Sequence, residues 1–191
     1  MSKSVTLVLR NVRCVWPKLY RPENFREKDR YSIGLLIEEG SDQAQKLGEA
    51  IKTAIAGQYG PQEVEAKLRK FKQTGVTKYP IKDFDDGATK IITPKRDAAK
   101  QAPIVLDGRK QRIPEEKGLP YGGCWVNASI DVFCHNREGG GLAFYLNGVQ
   151  LVREDAVLGG GTRTAESIKD DFDDLGDTGV AEVSAEADDF I

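Results

Sequence analysis

The chain has 191 residues, of which 39% are hydrophobic and 30% charged, and its formal net charge is −2 at pH 7. This composition is typical of a globular protein, and the length suits one compact domain with an appendage. No apolar run reaches the roughly 18 residues of a membrane-spanning helix. The first residues lack the apolar core of a signal peptide. We therefore expect a cytoplasmic protein without a membrane partner.

The charge is distributed unevenly along the chain. Residues 165–191 hold ten acidic residues and a single basic one, Lys169, so this segment carries −9, whereas residues 1–164 carry +7. A basic body joined to an acidic tail is typical of nucleic-acid-binding proteins. We expect residues 1–161 to form the folded domain and residues 162–191 to form a flexible acidic tail, since the tail has little apolar surface to bury.

Two strands are predicted near the start of the chain. Val5–Trp16 is rich in Val and Leu, and Tyr31–Ile37 is rich in Ile and Leu, which favours strands. Between them lie Pro17 and Pro22. Because proline opposes both a helix and a central strand, we predict a polar, basic and aromatic loop there.

Two helices are predicted next. Ser41 is a typical N-cap, and apolar residues then recur at helical spacing through residues 44–55. Gly57 or Gly60 provides a stop for this helix, and Pro61 can occupy the first position of a second one.

The second half of the chain contains the clearest strand. Gly75–Pro120 is irregular, with short strands expected at Val76–Tyr79 and Ile104–Leu106. Cys124–His135 alternates strictly between small apolar and larger or polar residues, and Leu142–Val152 follows after a glycine-rich turn. We expect these last two segments to pair as antiparallel strands.

The order of elements predicts a mainly β, α+β fold: an OB-fold-like Greek-key barrel with inserted helices and a disordered acidic C-terminal tail. Periodicity alone leaves another small α+β fold open. The three cysteines lack the spacing of a disulfide framework, and we interpret Cys124 and Cys134 as small buried hydrophobic residues.

The outward face of the 124–135 strand is polar but carries two aromatic rings, Trp125 and Phe133. Bases of single-stranded DNA stack on such rings, although a covering helix or loop would make the same rings part of the core. Residues 16–31 and 92–114 add aromatic and basic side chains, which suit bases and phosphates. The stacking candidates are Trp16, Tyr20, Tyr31, Tyr121, Trp125 and Phe133, and the phosphate candidates are Arg30, Lys95, Arg96, Arg109, Lys110 and Arg112.

The tail ends with two acids followed by two apolar residues, Asp188, Asp189, Phe190 and Ile191. Acids can steer a peptide towards a basic pocket, where the ring anchors it. We therefore expect the tail to act as a docking peptide for a partner protein, and also to compete with DNA for the basic body. An inert acidic extension is the alternative.

Catalytic patterns are weak. His135 is the only histidine and is expected to be a solvated surface residue, and no phosphate-binding glycine loop is present. Asp83, Asp85 and Asp86 could serve a metal-dependent nuclease, but KDFDDG is more typical of a turn. We expect no enzyme activity, no metal site and no cofactor.

The chain resembles phage-encoded single-stranded DNA-binding proteins, a family once catalogued as a domain of unknown function. The resemblance rests on CVWP (14–17), RYSIGLLI (30–37), YGGCWVNASIDVF (121–133), GLAFYLNGVQLVRED (141–155) and LGGG (158–161). It implies an OB fold, sequence-tolerant binding of single-stranded DNA in phage replication or recombination, and a tail near Phe190 that recruits replication or recombination proteins. A single-strand annealing protein stays an alternative, and the sequence leaves a homodimer open.

Overall fold

The computed structural model describes residues 4–25, 27–85 and 87–158. It has eight strands and two α-helices: β1 (Val5–Phe25), β2 (Lys28–Glu38), α1 (Asp42–Tyr59), α2 (Val64–Thr74), β3 (Ile81–Phe84), β4 (Thr89–Ile92), β5 (Lys95–Asp97), β6 (Ile104–Leu106), β7 (Trp125–His135) and β8 (Gly141–Arg153). Contacts divide the chain into Met1–Gly161 and Thr162–Ile191. The second unit, which holds the predicted tail, lies outside the described residues.

Five strands form a closed barrel. The sheet runs β1-β7-β8-β5-β2, and β2 pairs back onto β1. Neighbouring strands are antiparallel, except β5 and β8, which are parallel. The two helices and the β3–β4 hairpin are inserted between β2 and β5. The prediction of an OB-like barrel with inserted helices is confirmed.

The alternation predicted for residues 124–135 is confirmed along β7. Burial follows strict period two, with Val126, Ala128, Ile130, Val132 and Cys134 buried and the intervening side chains partly exposed. Helix α1 packs its buried face, residues 47–55, into the same hydrophobic core. The core therefore fills the barrel on the inner face of β7, and the face of Trp125 and Phe133 points outward.

The helix boundaries follow the capping signals. Ser41 is the N-cap of α1, and its Oγ accepts a hydrogen bond from the backbone N–H of Ala44 at 3.2 Å. The helix ends before Gly60, whose φ of 96° lies in the region that favours glycine. Pro61 begins a single 3₁₀ turn that leads into α2.

Two predictions of local structure were wrong. The segment with Pro17 and Pro22 is not a loop, because β1 continues through both prolines to Phe25. Its ladder with β2 shifts register between Val15 and Lys18 and again between Lys18 and Glu23. Each proline falls within such an irregularity, where the ladder needs no backbone N–H.

The predicted strand Val76–Tyr79 is a turn, in which the backbone N–H groups of Lys78 and Tyr79 donate to the carbonyl of Gly75 at 3.0 and 2.9 Å. The short segments β3, β4 and β5 were not predicted. Ile104–Leu106 is a strand, as predicted, and pairs in parallel with β8.

Cys124 and Cys134 are buried, as predicted, and so is Cys14. Burial is the main reason why the pKa of the Cys14 thiol is raised to about 12 and that of the Cys134 thiol to about 11.

Candidate nucleic-acid interface

A basic groove of about 690 Å³ lies on the outer side of the barrel. It is bordered by the start of β2 just after the β1–β2 turn, by β5, by the outer face of β7, and by β8 with the β7–β8 turn. In OB folds the face of the second and third barrel strands, together with the loops at these two turns, binds oligonucleotides and oligosaccharides. We call this surface the basic groove.

Six basic side chains line the basic groove, against two acidic ones, Asp97 and Asp131. The basic residues are Lys28, Arg30, Lys95, Arg96, Lys100 and Arg137. Asp131 accepts a hydrogen bond from Thr6 Oγ1 at 2.7 Å. The excess of positive charge suits a polyanion such as a nucleic-acid backbone.

Two aromatic rings stand among these cations. The centroids of Phe133 and Tyr145 lie 6.0 Å apart, with their planes tilted by 58°. Tyr145 is 45% exposed, and its register partner across the parallel pair is Lys95. Ring faces next to lysine and arginine side chains are the combination that holds bases and phosphates of a single strand.

The sheet brings four of the predicted residues together. Strand pairing places Tyr31 opposite Arg96 and Arg30 opposite Asp97. Arg30, Lys95, Arg96 and Phe133 all line the basic groove. The Arg96 guanidinium donates to the carbonyl oxygens of Gln101 and Leu146, so it also ties the residues after β5 to β8.

The other predicted residues lie elsewhere. Arg109, Lys110 and Arg112 are exposed in the segment after β6 and are not among the groove-lining residues. Trp16 is 50% exposed, its φ is 47°, and its ring centroid lies 6.1 Å from that of Phe84. Nothing in the geometry assigns these four to a strand of DNA, and their roles stay predictions.

Tyr20 and Tyr121 pack against the core instead of projecting from the surface. The Tyr20 hydroxyl lies within hydrogen-bond distance of the carbonyls of Ile113 (2.9 Å) and Leu119 (2.8 Å). Burial, followed by the charge of Glu115, raises the pKa of Tyr20. The Tyr121 hydroxyl donates to the carbonyl of Asp155 at 3.1 Å. Both rings therefore have structural contacts, although their predicted stacking role stays a prediction.

Trp125 lies at the opposite end of β7 from Phe133. The guanidinium carbon of Arg153 lies 4.4 Å from its ring centroid, and that of Arg13 lies 5.7 Å away. Its indole N–H donates to Asp155 Oδ2 at 2.7 Å. The ring is half-buried and one of its faces is covered by arginine, and its predicted stacking role stays a prediction.

The expectation that His135 is a solvated surface residue was wrong. It is half-buried, and its Nδ1 is buried without a hydrogen-bond partner. Burial, and next the charge of Lys78, lower the pKa of the imidazole. Its carbonyl accepts a hydrogen bond from the Tyr59 hydroxyl at 3.1 Å, which anchors the β7–β8 turn to α1.

The sequence analysis missed two groove residues, Tyr145 and Arg137, and did not select Lys28 or Lys100 from the basic segments. The sequence held a signal for Tyr145. Leu142, Phe144 and Leu146 are apolar at alternate positions and are buried, so period two along β8 puts Tyr145 on the outer face.

The carboxylates considered for a nuclease include Asp83, which pairs with Lys90 at 2.5 Å, and Asp86, which lies outside the described residues. Across the described ranges, no group of three or more His, Cys, Asp or Glu could hold a metal ion.

The barrel, the basic groove and its flanking turns define an OB-type binding protein. The family model of the Enterobacter phage Enc34 ssDNA-binding protein matches residues 5–182. The chain therefore belongs to the Enc34 ssDNA-binding protein family. Putative protein p50 of Acyrthosiphon pisum secondary endosymbiont phage 1 is 29% identical over 175 residues, which cover 87% of this chain and 92% of p50.

Solved structures share the fold. The single-stranded DNA-binding protein of bacteriophage Enc34, in a C-terminal truncation, matches with a TM-score of 0.59 at 22% identity, over 80% of this chain and 88% of that one. The same protein in complex with ssDNA matches with a TM-score of 0.56 at 22% identity, over 83% of this chain and 95% of that one. The single-stranded DNA-binding protein gp2.5 of bacteriophage T7 matches with a TM-score of 0.55 at 18% identity, over 91% of this chain and 98% of that one.

Among the described residues, no helix is long and apolar enough to cross a membrane.

Proposed function

We propose that this chain binds single-stranded DNA without reading its sequence, and so coats and protects it during phage DNA replication or recombination. The observation that carries the proposal is the aromatic pair Phe133 and Tyr145, set among six basic side chains of the basic groove. Membership of the Enc34 family supports the same conclusion.

The composition of the basic groove favours a single strand over a duplex. In a duplex the faces of the bases are covered by their neighbours in the stack, so Tyr145 has no base to contact. In a single strand the bases are free to stack on the ring, and every base has a π-face. The lysines and arginines follow the backbone, which is the same for all sequences. Binding is therefore tolerant of sequence and dependent on salt.

We propose a two-part organisation for the protein, with residues 1–161 binding DNA and residues 162–191 acting as an acidic tail. Residues 165–191 carry −9, whereas residues 1–164 carry +7. It competes with DNA as a polyanion, and its last residues, 188–191, recruit replication or recombination proteins. The protein acts in the bacterial host cytoplasm, without catalysis and without a cofactor.

The experiment is a titration of fluorescently labelled oligo(dT), followed by anisotropy at several salt concentrations. Six groove cations that each neutralise one phosphate would give a slope of log K against log salt of up to about −4. A duplex of the same length is the comparison, and we expect it to bind more weakly. Absence of binding, or binding that salt does not weaken, would overturn the proposal.

The tail is tested in the same assay with a chain that stops after Thr164. We expect the shortened chain to bind oligo(dT) more tightly, because its body keeps the positive charge and loses the competing acids. Equal affinity of the two chains would refute competition by the tail and leave the recruiting role.

A further inference from the structure

A second cluster of charge lies on the outer face of β7, away from the basic groove. Strand pairing sets Arg13 of β1 and Arg153 of β8 on either side of Trp125 in β7. Both guanidinium groups lie near the indole ring, at 5.7 and 4.4 Å from its centroid. The barrel thus places two cations and an indole N–H donor side by side.

One carboxylate oxygen lies close to all three groups, and Arg13 also donates to the backbone carbonyls of Gly123 at 3.2 Å and Ala156 at 3.0 Å. Asp155 Oδ2 accepts from Trp125 Nε1 at 2.7 Å and from Arg153 Nη1 at 3.2 Å, and it lies 3.7 Å from Arg13 Nη2. The other oxygen, Oδ1, accepts the backbone N–H of Ala156 at 2.8 Å. Because the carboxylate receives these donors, its pKa is lowered, chiefly by the hydrogen bond from Trp125.

We infer that Arg13, Trp125 and Arg153 form a second binding site for a backbone phosphate of single-stranded DNA, and that the Asp155 side chain occupies this site in the free protein. The inference rests on the proposed function. A phosphodiester oxygen is an anionic acceptor like the carboxylate oxygen, and guanidinium groups bind both in the same geometry.

The exchange of carboxylate for phosphate requires no unfolding. The side chains of Arg153 and Asp155 are 53% and 35% exposed, so a strand can reach them. The segment that carries Asp155 is fixed by other bonds: Leu158 N–H donates to the Gly122 carbonyl at 2.9 Å, and the Tyr121 hydroxyl donates to the Asp155 carbonyl at 3.1 Å. The carboxylate can therefore leave while the backbone stays in place.

The second site lies well away from the first. Trp125 and Phe133 are eight residues apart on the same face of β7, which corresponds to about 26 Å at roughly 3.3 Å per residue. A short oligonucleotide held at Phe133 and Tyr145 does not reach Arg153. A longer strand, of the size that occupies a whole OB fold, reaches both.

The test is Asp155→Asn, with Glu154→Gln as the matched control. The asparagine oxygen can still accept from one of the two donors, Trp125 or Ala156, which aspartate satisfies with separate oxygens, and the charge that pairs with the two arginines is gone. Glu154→Gln removes an identical charge from the exposed neighbouring position. Among the described residues, the ion pairs of Arg13 and Arg153 are both with Asp155.

We expect Asp155→Asn to bind oligo(dT) of about 20 nucleotides roughly fivefold more tightly at 0.1 M salt than wild type, because the phosphate no longer has to displace a charged carboxylate from the two arginines. An oligonucleotide of about 5 nucleotides should show no gain. Adding Arg153→Gln to Asp155→Asn should remove the gain. Equal effects of Asp155→Asn and Glu154→Gln, or a gain that Arg153→Gln leaves in place, would overturn the inference.

A measurement on the wild-type chain does not depend on how the variants fold. The NMR signal of the Trp125 indole N–H should shift when the long oligonucleotide binds, since its acceptor changes from carboxylate to phosphate. An unmoved signal with bound DNA would overturn the second site and leave the proposed function intact. Failure of the wild type to bind either oligonucleotide would refute both.

Discussion

Replacement of Tyr145 by alanine removes the most exposed ring of the basic groove. The side chain is 45% exposed, and its centroid lies 6.0 Å from that of Phe133. Loss of one base-stacking ring weakens binding by about 1–3 kcal/mol, which is roughly 5- to 150-fold in Kd. We expect the loss to be similar for oligonucleotides of different sequence, because stacking does not read hydrogen-bonding groups.

The fold should tolerate this change. Tyr145 projects outward from β8, and the contact that it loses in the protein is the tilted pair with Phe133. Such pairs contribute about 0.5–1.5 kcal/mol when well formed, so we expect the free energy of unfolding to fall by about 1 kcal/mol or less. Thermal unfolding of the free variant measures this directly.

Tyr145→Phe is the matched control, since it keeps the ring and removes the hydroxyl. We expect it to bind oligo(dT) like wild type in an anisotropy titration at constant salt. If Tyr145→Ala binds with wild-type affinity, the ring does not contact a base and the location of the interface is refuted. If Tyr145→Phe fails as badly as alanine, the hydroxyl is the important group and the stacking argument is wrong.

Three further outcomes are expected. Lys100→Gln should reduce the slope of log K against log salt by about 0.7. The control is Lys46→Gln, which is exposed on α1 away from the basic groove and should leave the slope unchanged. Equal slopes in both variants would refute a phosphate contact at Lys100. Gly123→Ala should destabilise the fold by about 1–3 kcal/mol, because the φ of Gly123 is 115° and a Cβ would lie 2.1 Å from the Ala156 carbonyl oxygen. The control is Gly108→Ala, since Gly108 has open space around it. Similar melting temperatures of the two variants would contradict the prediction. The Cys14 thiol, with its pKa raised to about 12 by burial, should resist alkylation near neutral pH until the chain unfolds, and rapid labelling of the native protein would contradict its burial.

Local patterns predicted the parts of the fold that depend on neighbouring residues. The alternation along residues 124–135 defines the inner and outer faces of β7, because side chains in a strand alternate by geometry alone. Ser41 marks the start of α1 because its side chain satisfies a backbone N–H of the first turn. These signals need no knowledge of the rest of the chain.

The errors arose where tertiary pairing overrides local preference. Pro17 and Pro22 oppose a regular strand, but irregularities in the β1–β2 ladder accommodate both. The basic groove is also a product of pairing. Arg30, Lys95 and Phe133 are far apart in sequence and meet only because the barrel closes through β5 and β8. Sequence reasoning could name basic and aromatic candidates but could not tell which of them share a surface.

The central claim is that single-stranded DNA lies in the basic groove against Phe133 and Tyr145. Ultraviolet crosslinking of oligo(dT) to the full chain, with the attached peptides mapped by mass spectrometry, tests it most directly because stacked thymines crosslink to the rings they touch. We predict that the attached nucleotides map to β7 and β8 at Phe133 or Tyr145, and that high salt abolishes the crosslinks. Crosslinks confined to residues 107–112, or to surfaces outside the basic groove, would contradict the account.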